Sequence, residues 1–141
     1  MNTHPIKLLV VEPQFVPRRT IVLSAARLQL AEVDESASLG AAERLLQGRR
    51  YAAVVLALDA GPLPELERVL AACAPAHVIG IQAPGQPAPA RGWRPRGVHA
   101  LLDKPARIKE LLSLLSPLAA QALPCAATAA AALAAASASP R

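Results

Sequence analysis

Aromatic residues and cysteines are both scarce in this 141-residue chain, and each scarcity excludes a class of protein. Phe, Tyr and Trp occur once each, as Phe15, Tyr51 and Trp93, so the core must be aliphatic. A sheet that stacks nucleic-acid bases on several aromatic side chains is therefore excluded. Two cysteines, Cys73 and Cys125, are too few for a disulfide scaffold and favour a reduced, cytoplasmic protein with inert thiols.

Metal ligands, a secretory signal and a strong net charge are missing as well. The histidines are scattered at His4, His77 and His99, and neither cysteine has a second ligand at zinc-finger spacing, so no metal is expected. The segment Met1–Lys7 carries one lysine before a short apolar run, which does not make a signal peptide. The net charge of +5 is too small to identify an anionic partner.

The chain does contain apolar segments of two alternating periods. Short runs rich in branched residues predict five strands, at residues 6–11, 31–34, 51–58, 77–81 and 98–102. Apolar stripes at helical spacing lie between the strands, with Pro17 in the first turn of one helix, Ser38 as an N-cap and Pro64 at a helix start. This alternation predicts an α/β protein with a parallel sheet and helices on both faces.

Two segments depart from the alternation. Residues 83–97 carry four prolines and three glycines, so the fourth helix is predicted to be missing or shortened to a turn. After Pro117 the sequence is mostly alanine and serine, which predicts a domain at residues 1–116 and a low-complexity tail at residues 117–141. Alanine-rich sequence interrupted by prolines does not favour a membrane span, so no membrane contact is expected.

In open parallel sheets, ligands gather at the carboxyl ends of the strands. The turn after the first strand, Glu12–Pro17, has no glycine or hydroxyl, and no strand is followed by a glycine-rich phosphate loop. Flavin and nucleotide cofactors are therefore not expected, and neither is a small-molecule substrate.

Three segments at these strand ends carry a family resemblance. Leu8–Glu12, Tyr51–Leu58 and Leu101–Pro105 resemble, in order and spacing, the signature segments of the response regulator receiver domain. The likeness covers Ile6 to Leu115, and the Lys104-Pro105 pair is its most specific part. It implies a flavodoxin-like sheet of order 2-1-3-4-5 and a place in two-component phosphorelay signalling.

The resemblance also implies a chemistry that this sequence does not fully retain. Receiver domains take a phosphoryl group from a histidine kinase onto an aspartate, with help from a divalent cation held by acidic residues. Here the acidic pair reads Glu12-Pro13, and the acceptor position reads Ala57. The relay positions read Gln82 in place of a serine or threonine and Leu101 in place of an aromatic residue. We therefore predict a non-catalytic pseudo-receiver that binds no magnesium.

Two residues of the pocket leave alternatives open. Asp59 lies two positions beyond Ala57 and is predicted to be a solvated turn carboxylate, with phosphorylation of Asp59 as the alternative. Lys104 is predicted to pair with Glu12 across the strand ends.

A candidate partner surface lies in the proline-rich crossover. Trp and Arg are common interface anchors, so an exposed loop presenting Arg91, Trp93, Arg94 and Arg96 is predicted to bind a protein such as a histidine kinase, another receiver or an effector. A nucleic-acid-associated regulator that uses the arginines is the remaining alternative.

Overall fold

In the computed structural model, which describes residues 6–120, the five predicted strands form one parallel sheet. Numbered along the chain, the strands lie in the order 2-1-3-4-5, as predicted. The strands are β1 Ile6–Val11, β2 Ala31–Ser36, β3 Ala53–Ala57, β4 His77–Gln82 and β5 Ala100–Asp103. The helices are α1 Phe15–Arg27, α2 Leu39–Gly48, α3 Leu63–Cys73 and α4, residues 108–120.

The central strands β1, β3 and β4 are buried on both faces because helices cover each side of the sheet. Leu9 of β1 packs with residues of α2 and α3 in one core, while Leu8 packs with residues of α1 and α4 in the other. Neighbouring residues of a strand point to opposite faces, so a strand that is covered on both faces needs apolar residues at successive positions.

Helix ends follow the predicted local chemistry. The side chain of Ser38 accepts a hydrogen bond from the backbone N–H of Ala41 at 3.2 Å and caps α2. Pro64 stands in the first turn of α3, where its missing N–H leaves no helical hydrogen bond unmade.

The crossover between β4 and β5 contains a 3₁₀ turn, Arg94–Arg96, in place of an α-helix, as predicted. The expectation that Trp93 is exposed is wrong. Trp93 is 4% exposed and packs in the core beside α3, among residues such as Leu70 and Val98. The short crossover leaves the apolar face of β4 and α3 without a helix over it, and the indole ring fills this space.

The final helix α4 packs on the same face of the sheet as α1. It continues through residue 120, and Ala119 is buried, four residues beyond the stripe that the sequence predicted to end at Leu115. Most of the predicted tail, residues 121–141, lies outside the described residues. Within residues 6–120, no helix combines the length and the apolar character that a membrane crossing requires.

Candidate functional site at the carboxyl ends of the strands

Three charged side chains from three separate segments meet at the carboxyl edge of the sheet. Glu12 follows β1, Asp59 lies in the turn after β3, and Lys104 follows β5. The Lys104 Nζ lies 2.8 Å from Oε1 of Glu12 and 3.0 and 3.2 Å from the two carboxylate oxygens of Asp59. In the sheet, β1 and β3 are neighbours and β5 lies beyond β4, so the side chain of Lys104 reaches past the end of β4 to contact both carboxylates.

Glu12 is buried, with 3% of its surface exposed, and its carboxylate is fully engaged. Oε1 faces Lys104, and Oε2 accepts a hydrogen bond from the backbone N–H of Gln14 at 2.9 Å. The guanidinium of Arg18 donates to the backbone carbonyl of Glu12 at 2.9 Å and to the carboxylate of Glu35 at 3.0 Å. A buried carboxylate with these partners is held in a single position.

Lys104 is mostly buried and charged. Burial by itself would lower the pKa of Lys104, but hydrogen bonds and charge attraction from Glu12 and Asp59 outweigh it and raise that pKa. The ammonium therefore carries its full charge between the two carboxylates at neutral pH. The pair with Glu12 that the sequence predicted is formed.

Asp59 begins the predicted turn, in which the backbone N–H of Ala60 donates to the carbonyl of Ala57. The carboxylate of Asp59 is not simply solvated, which corrects the expectation from sequence. Its side chain is 35% exposed, and both oxygens accept hydrogen bonds from Lys104. The end of β5 is two strands away from the end of β3. Lys104 still reaches Asp59 because its side chain is long enough to span β4.

The side chains of this site do not suit a magnesium ion. Magnesium needs several oxygen ligands in near-octahedral geometry, whereas Glu12 and Asp59 supply two carboxylates here and both are paired with Lys104. Pro13 supplies no carboxylate, and Ala57 presents a methyl group that is 1% exposed. Among residues 6–120, no cluster of three or more His, Cys, Asp or Glu side chains could hold a metal ion.

Gln82 and Leu101, the positions that the sequence resemblance assigns to a relay, carry no hydroxyl group. Gln82 donates from Nε2 to Oδ1 of Asp103 at 2.9 Å, which fixes it to the neighbouring strand end. Leu101 is 45% exposed on the edge strand β5. Pro105 follows Lys104 and begins the loop into α4.

The predicted partner surface is only partly as expected. Arg91 and Arg94 are exposed, whereas Trp93 lies beneath them in the core. Arg96 is tied down, because it contacts Glu67 at 3.0 Å and donates to the backbone carbonyls of Ala90 and Gly92. The loop therefore offers two free arginines without an aromatic anchor.

Sequence reasoning missed an apolar surface on α1. Phe15 is 65% exposed and Val16 is 71% exposed at the first turn of the helix, and Val16 lines a surface cavity together with Lys104. Both residues lie outside the buried stripe of Ile21, Val22 and Ala25. Their position outside this stripe is the one sequence feature that could have identified them as exposed.

No protein-family model and no curated protein matches this chain. Several solved structures do match this chain. A signal receiver domain of an HD domain-containing protein from Pseudomonas fluorescens is 21% identical, with a TM-score of 0.66 over 84% of this chain and 95% of that one. A response regulator receiver protein from Sinorhizobium medicae is 19% identical, with a TM-score of 0.65 over 81% and 94%.

The receiver domain of the Francisella response regulator 1452 gives a TM-score of 0.67 at 17% identity, over 82% of this chain and 98% of that one. At these identities the match shows the fold alone. With its five parallel strands in the order 2-1-3-4-5, the chain has the fold of response regulator receiver domains.

Proposed function

We propose that this chain is a receiver-like signalling module that acts by binding another protein, independently of phosphorylation. The observation that carries the proposal is the buried methyl group of Ala57, 1% exposed, at the position of the family's acceptor aspartate. A methyl group is not a nucleophile. In addition, the ammonium of Lys104 is already paired with two carboxylates, so it is not free to receive a phosphoryl group.

The partner is a component of a phosphorelay in the cytoplasm: a histidine kinase, another receiver or an effector. Arg91 and Arg94 are proposed to contact it, since both are exposed beside β5 where a receiver's fourth helix would lie. Trp93 is removed from this surface by its burial. Its packing beneath the crossover instead stabilises the loop that displays the two arginines.

Exposure of the full chain to acetyl phosphate and magnesium, followed by intact mass measurement, tests the proposal. The expected result is no phosphoryl adduct, with the same mass as in the absence of the donor. The matched variant is Asp59→Asn, which keeps the size of the side chain and removes its nucleophilic charge. An adduct on the wild-type chain that is missing from this variant would overturn the proposal and identify Asp59 as an acceptor.

Phosphorylation of Asp59 is the second candidate function, and one observation favours it. The carboxylate of Asp59 is partly exposed and lies within hydrogen-bond distance of Lys104, as an acceptor beside a cationic group requires. Against it, position 13 of the acidic pair is a proline, which leaves Glu12 paired with Lys104 as its one carboxylate, and metal-assisted charge neutralisation is the main catalytic device of this chemistry.

Nucleic-acid binding is less well supported, because many of the arginines have carboxylate partners. Ion pairs engage five arginines of the described residues: Arg18, Arg19, Arg49, Arg68 and Arg96. A paired arginine has less charge to offer a phosphate backbone than an unpaired one.

A further inference from the structure

A cavity of about 250 Å³ lies between the start of α3 and the proline-rich crossover, and we call it the Trp93 cavity. Its lining within residues 6–120 is contributed by Leu58, Gly61, Leu63, Leu66, residues 86–89 and Trp93. At about 30 Å³ for each water molecule, this volume is that of about eight waters. The cavity therefore has the size of a small organic molecule.

The described lining is mostly apolar and carries no charge. Apart from the indole, its one polar side chain is Gln86, and both polar groups of that side chain are paired. Oε1 of Gln86 accepts a hydrogen bond from the backbone N–H of Ala83 at 2.9 Å, and Nε2 donates to the carbonyl of Leu58 at 2.8 Å. Gln86 therefore has no hydrogen-bonding group left over that would select a ligand.

A carboxylate lies close to the cavity. Oε2 of Glu65 is 3.1 Å from the point at which a Cβ atom of residue 61 would stand, and Gly61 lines the cavity. An anion would be repelled at this distance. The charges near the cavity therefore disfavour a phosphate or a carboxylate as its ligand.

The indole of Trp93 has an unpaired polar group. Trp93 is 4% exposed, and its Nε1 has no hydrogen-bond partner among residues 6–120. A buried N–H without an acceptor is unfavourable, and folded proteins contain few such groups. The indole nitrogen can donate a hydrogen bond but cannot accept one, so the group that it requires is an acceptor.

We propose that the Trp93 cavity binds a small neutral molecule whose apolar body fills it and whose carbonyl oxygen accepts a hydrogen bond from the indole N–H of Trp93. The proposal does not rest on the proposed function. None of the described lining side chains is an acid, a base or an activated nucleophile, so the ligand is bound without being converted.

The crossover is the wall of the cavity that moves to admit the ligand. Nε1 of Trp93 is itself buried, so an acceptor reaches it only when part of the wall is displaced. Leu58 and Leu66 are buried in the core, whereas Pro87 and Ala88 are exposed and belong to no helix or strand. Neither of these two residues makes a backbone hydrogen bond with another described residue, so their displacement breaks none.

Trp93 is the one tryptophan of the chain, so a proton–nitrogen correlation spectrum of the full chain contains a single indole signal. The probe is N-methyl-2-piperidone, a neutral lactam with an acceptor and no donor. The matched compound is 1,2-dimethylpiperidine, in which a methyl group replaces the carbonyl oxygen and which is a cation at pH 7.5. We expect the lactam to shift the indole proton downfield in a saturable manner, and the amine to leave the signal in place.

Two results of this titration would overturn the proposal. The first is an indole signal that neither compound shifts, as expected if water is the partner of the N–H. The second is the same shift with both compounds, because the cavity would then not select an acceptor.

Two exposed alanines of the crossover test the location of the site. Ala88 lines the cavity and Ala90 does not. Ala88→Phe should obstruct the cavity and weaken the binding of N-methyl-2-piperidone about tenfold, whereas the control Ala90→Phe should change it by less than about twofold. Equal dissociation constants for the two variants would contradict binding in this cavity.

Trp93→Phe tests the hydrogen bond itself. Phenylalanine keeps an aromatic ring in the core but has no N–H, so the lactam should bind about fivefold to tenfold more weakly. The amide signals of Leu58 and Gln86 report binding in this variant. An unchanged dissociation constant would show that the indole N–H does not contact the ligand.

Discussion

The ion pair between Glu12 and Lys104 holds together the ends of two strands at the carboxyl edge of the sheet. Glu12 is buried, and a buried carboxylate without a partner is costly. Lys104 provides that partner at 2.8 Å and extends the contact to Asp59, so the pocket is closed by protein charges of opposite sign. These three side chains therefore contribute to the stability of the fold.

Replacing Lys104 by methionine should lower the free energy of unfolding by about 2 kcal/mol, because Glu12 would lose the partner that compensates its buried charge. Asp59→Asn should cost less than about 1 kcal/mol, since that side chain is 35% exposed and water screens its pair. Urea unfolding at pH 7.5 measures both. Equal losses for the two variants would contradict the burial argument.

A double variant and a change of pH separate the charge from the packing. Glu12→Gln combined with Lys104→Met should be less destabilising than Lys104→Met alone, because no unpaired charge remains. The pKa of Lys104 is raised in the folded state, so its stabilising contribution is complete below the unfolded pKa of about 10.4. The difference between the wild type and Lys104→Met should shrink as the pH rises through the folded pKa.

Trp93→Ala should lower the free energy of unfolding by about 3–5 kcal/mol, because truncation of a buried aromatic side chain leaves a large cavity. Trp93→Phe should cost clearly less. It keeps most of the apolar volume and removes an indole N–H that has no hydrogen-bond partner among the described residues. Thermal unfolding of both variants measures the difference, and a loss below about 1 kcal/mol for Trp93→Ala would show that the ring is a surface group.

The sequence predicted the pairing of Lys104 with Glu12 but not the burial of Trp93, and the reason is physical. Side chains at the ends of parallel strands share one edge, so strand order alone brings them together. A tryptophan among prolines and arginines gives no periodic signal, and its burial depends on the gap left by the missing helix. The contact of Asp59 with Lys104 was missed because it depends on a side-chain conformation.

Gly80 marks the tightest packing of β4 against its neighbours. A Cβ atom at this position would lie 2.8 Å from Cδ1 of Leu58 and 3.0 Å from Cγ1 of Val98, both of which are buried side chains. Gly80→Ala should therefore lower the free energy of unfolding by about 1–3 kcal/mol through overpacking. Chemical denaturation measures this loss.

The matched control for this variant is Gly40→Ala. Gly40 lies in the first turn of α2 with open space around its Cα, and alanine is the better helix former. This change should leave stability the same or raise it by up to about 1 kcal/mol. If both alanine variants had the same effect, close contact at Gly80 would not be the cause.

The positions of the strands and helices were predictable because their apolar residues recur with a clear period. The bounds of β3 and the end of α4 were not predictable. The run at residues 51–58 predicts a longer strand than Ala53–Ala57, since apolar residues continue into the turn that carries Asp59. The helix α4 runs beyond its predicted stripe because alanine and serine continue a helix as readily as they form a low-complexity segment. Composition alone cannot separate these two outcomes.

The sheet as a whole predicts the receiver fold more clearly than any single motif does. Strand order, the absent fourth helix and the lysine after β5 all follow from patterns along the chain. Function does not follow in the same way, because it depends on single side chains such as Ala57. A fold can persist after the chemistry at its strand ends has changed.

Two stacked histidines at the amino edge of the sheet make the stability of the domain depend on pH. The rings of His77 and His99 lie 4.7 Å apart, and Nδ1 of His99 accepts a hydrogen bond from the backbone N–H of Val78 at 2.9 Å. This bond joins the residue before β5 to β4. Burial, followed by repulsion from His99, lowers the pKa of His77.

The unfolded chain therefore binds more protons than the folded chain as the pH falls past about 6.5, and stability should decline from pH 7 to pH 5. His77→Gln should flatten this decline, since it removes the group with the lowered pKa and its repulsion with His99. Burial would raise the pKa of Asp34, but hydrogen bonds from Tyr51 and Arg49 outweigh it and lower that pKa. The contribution of Asp34 to stability is therefore lost only at lower pH. Urea midpoints at pH 5, 6 and 7 measure the slope, and a wild-type slope that His77→Gln leaves unchanged would mean that other groups control it.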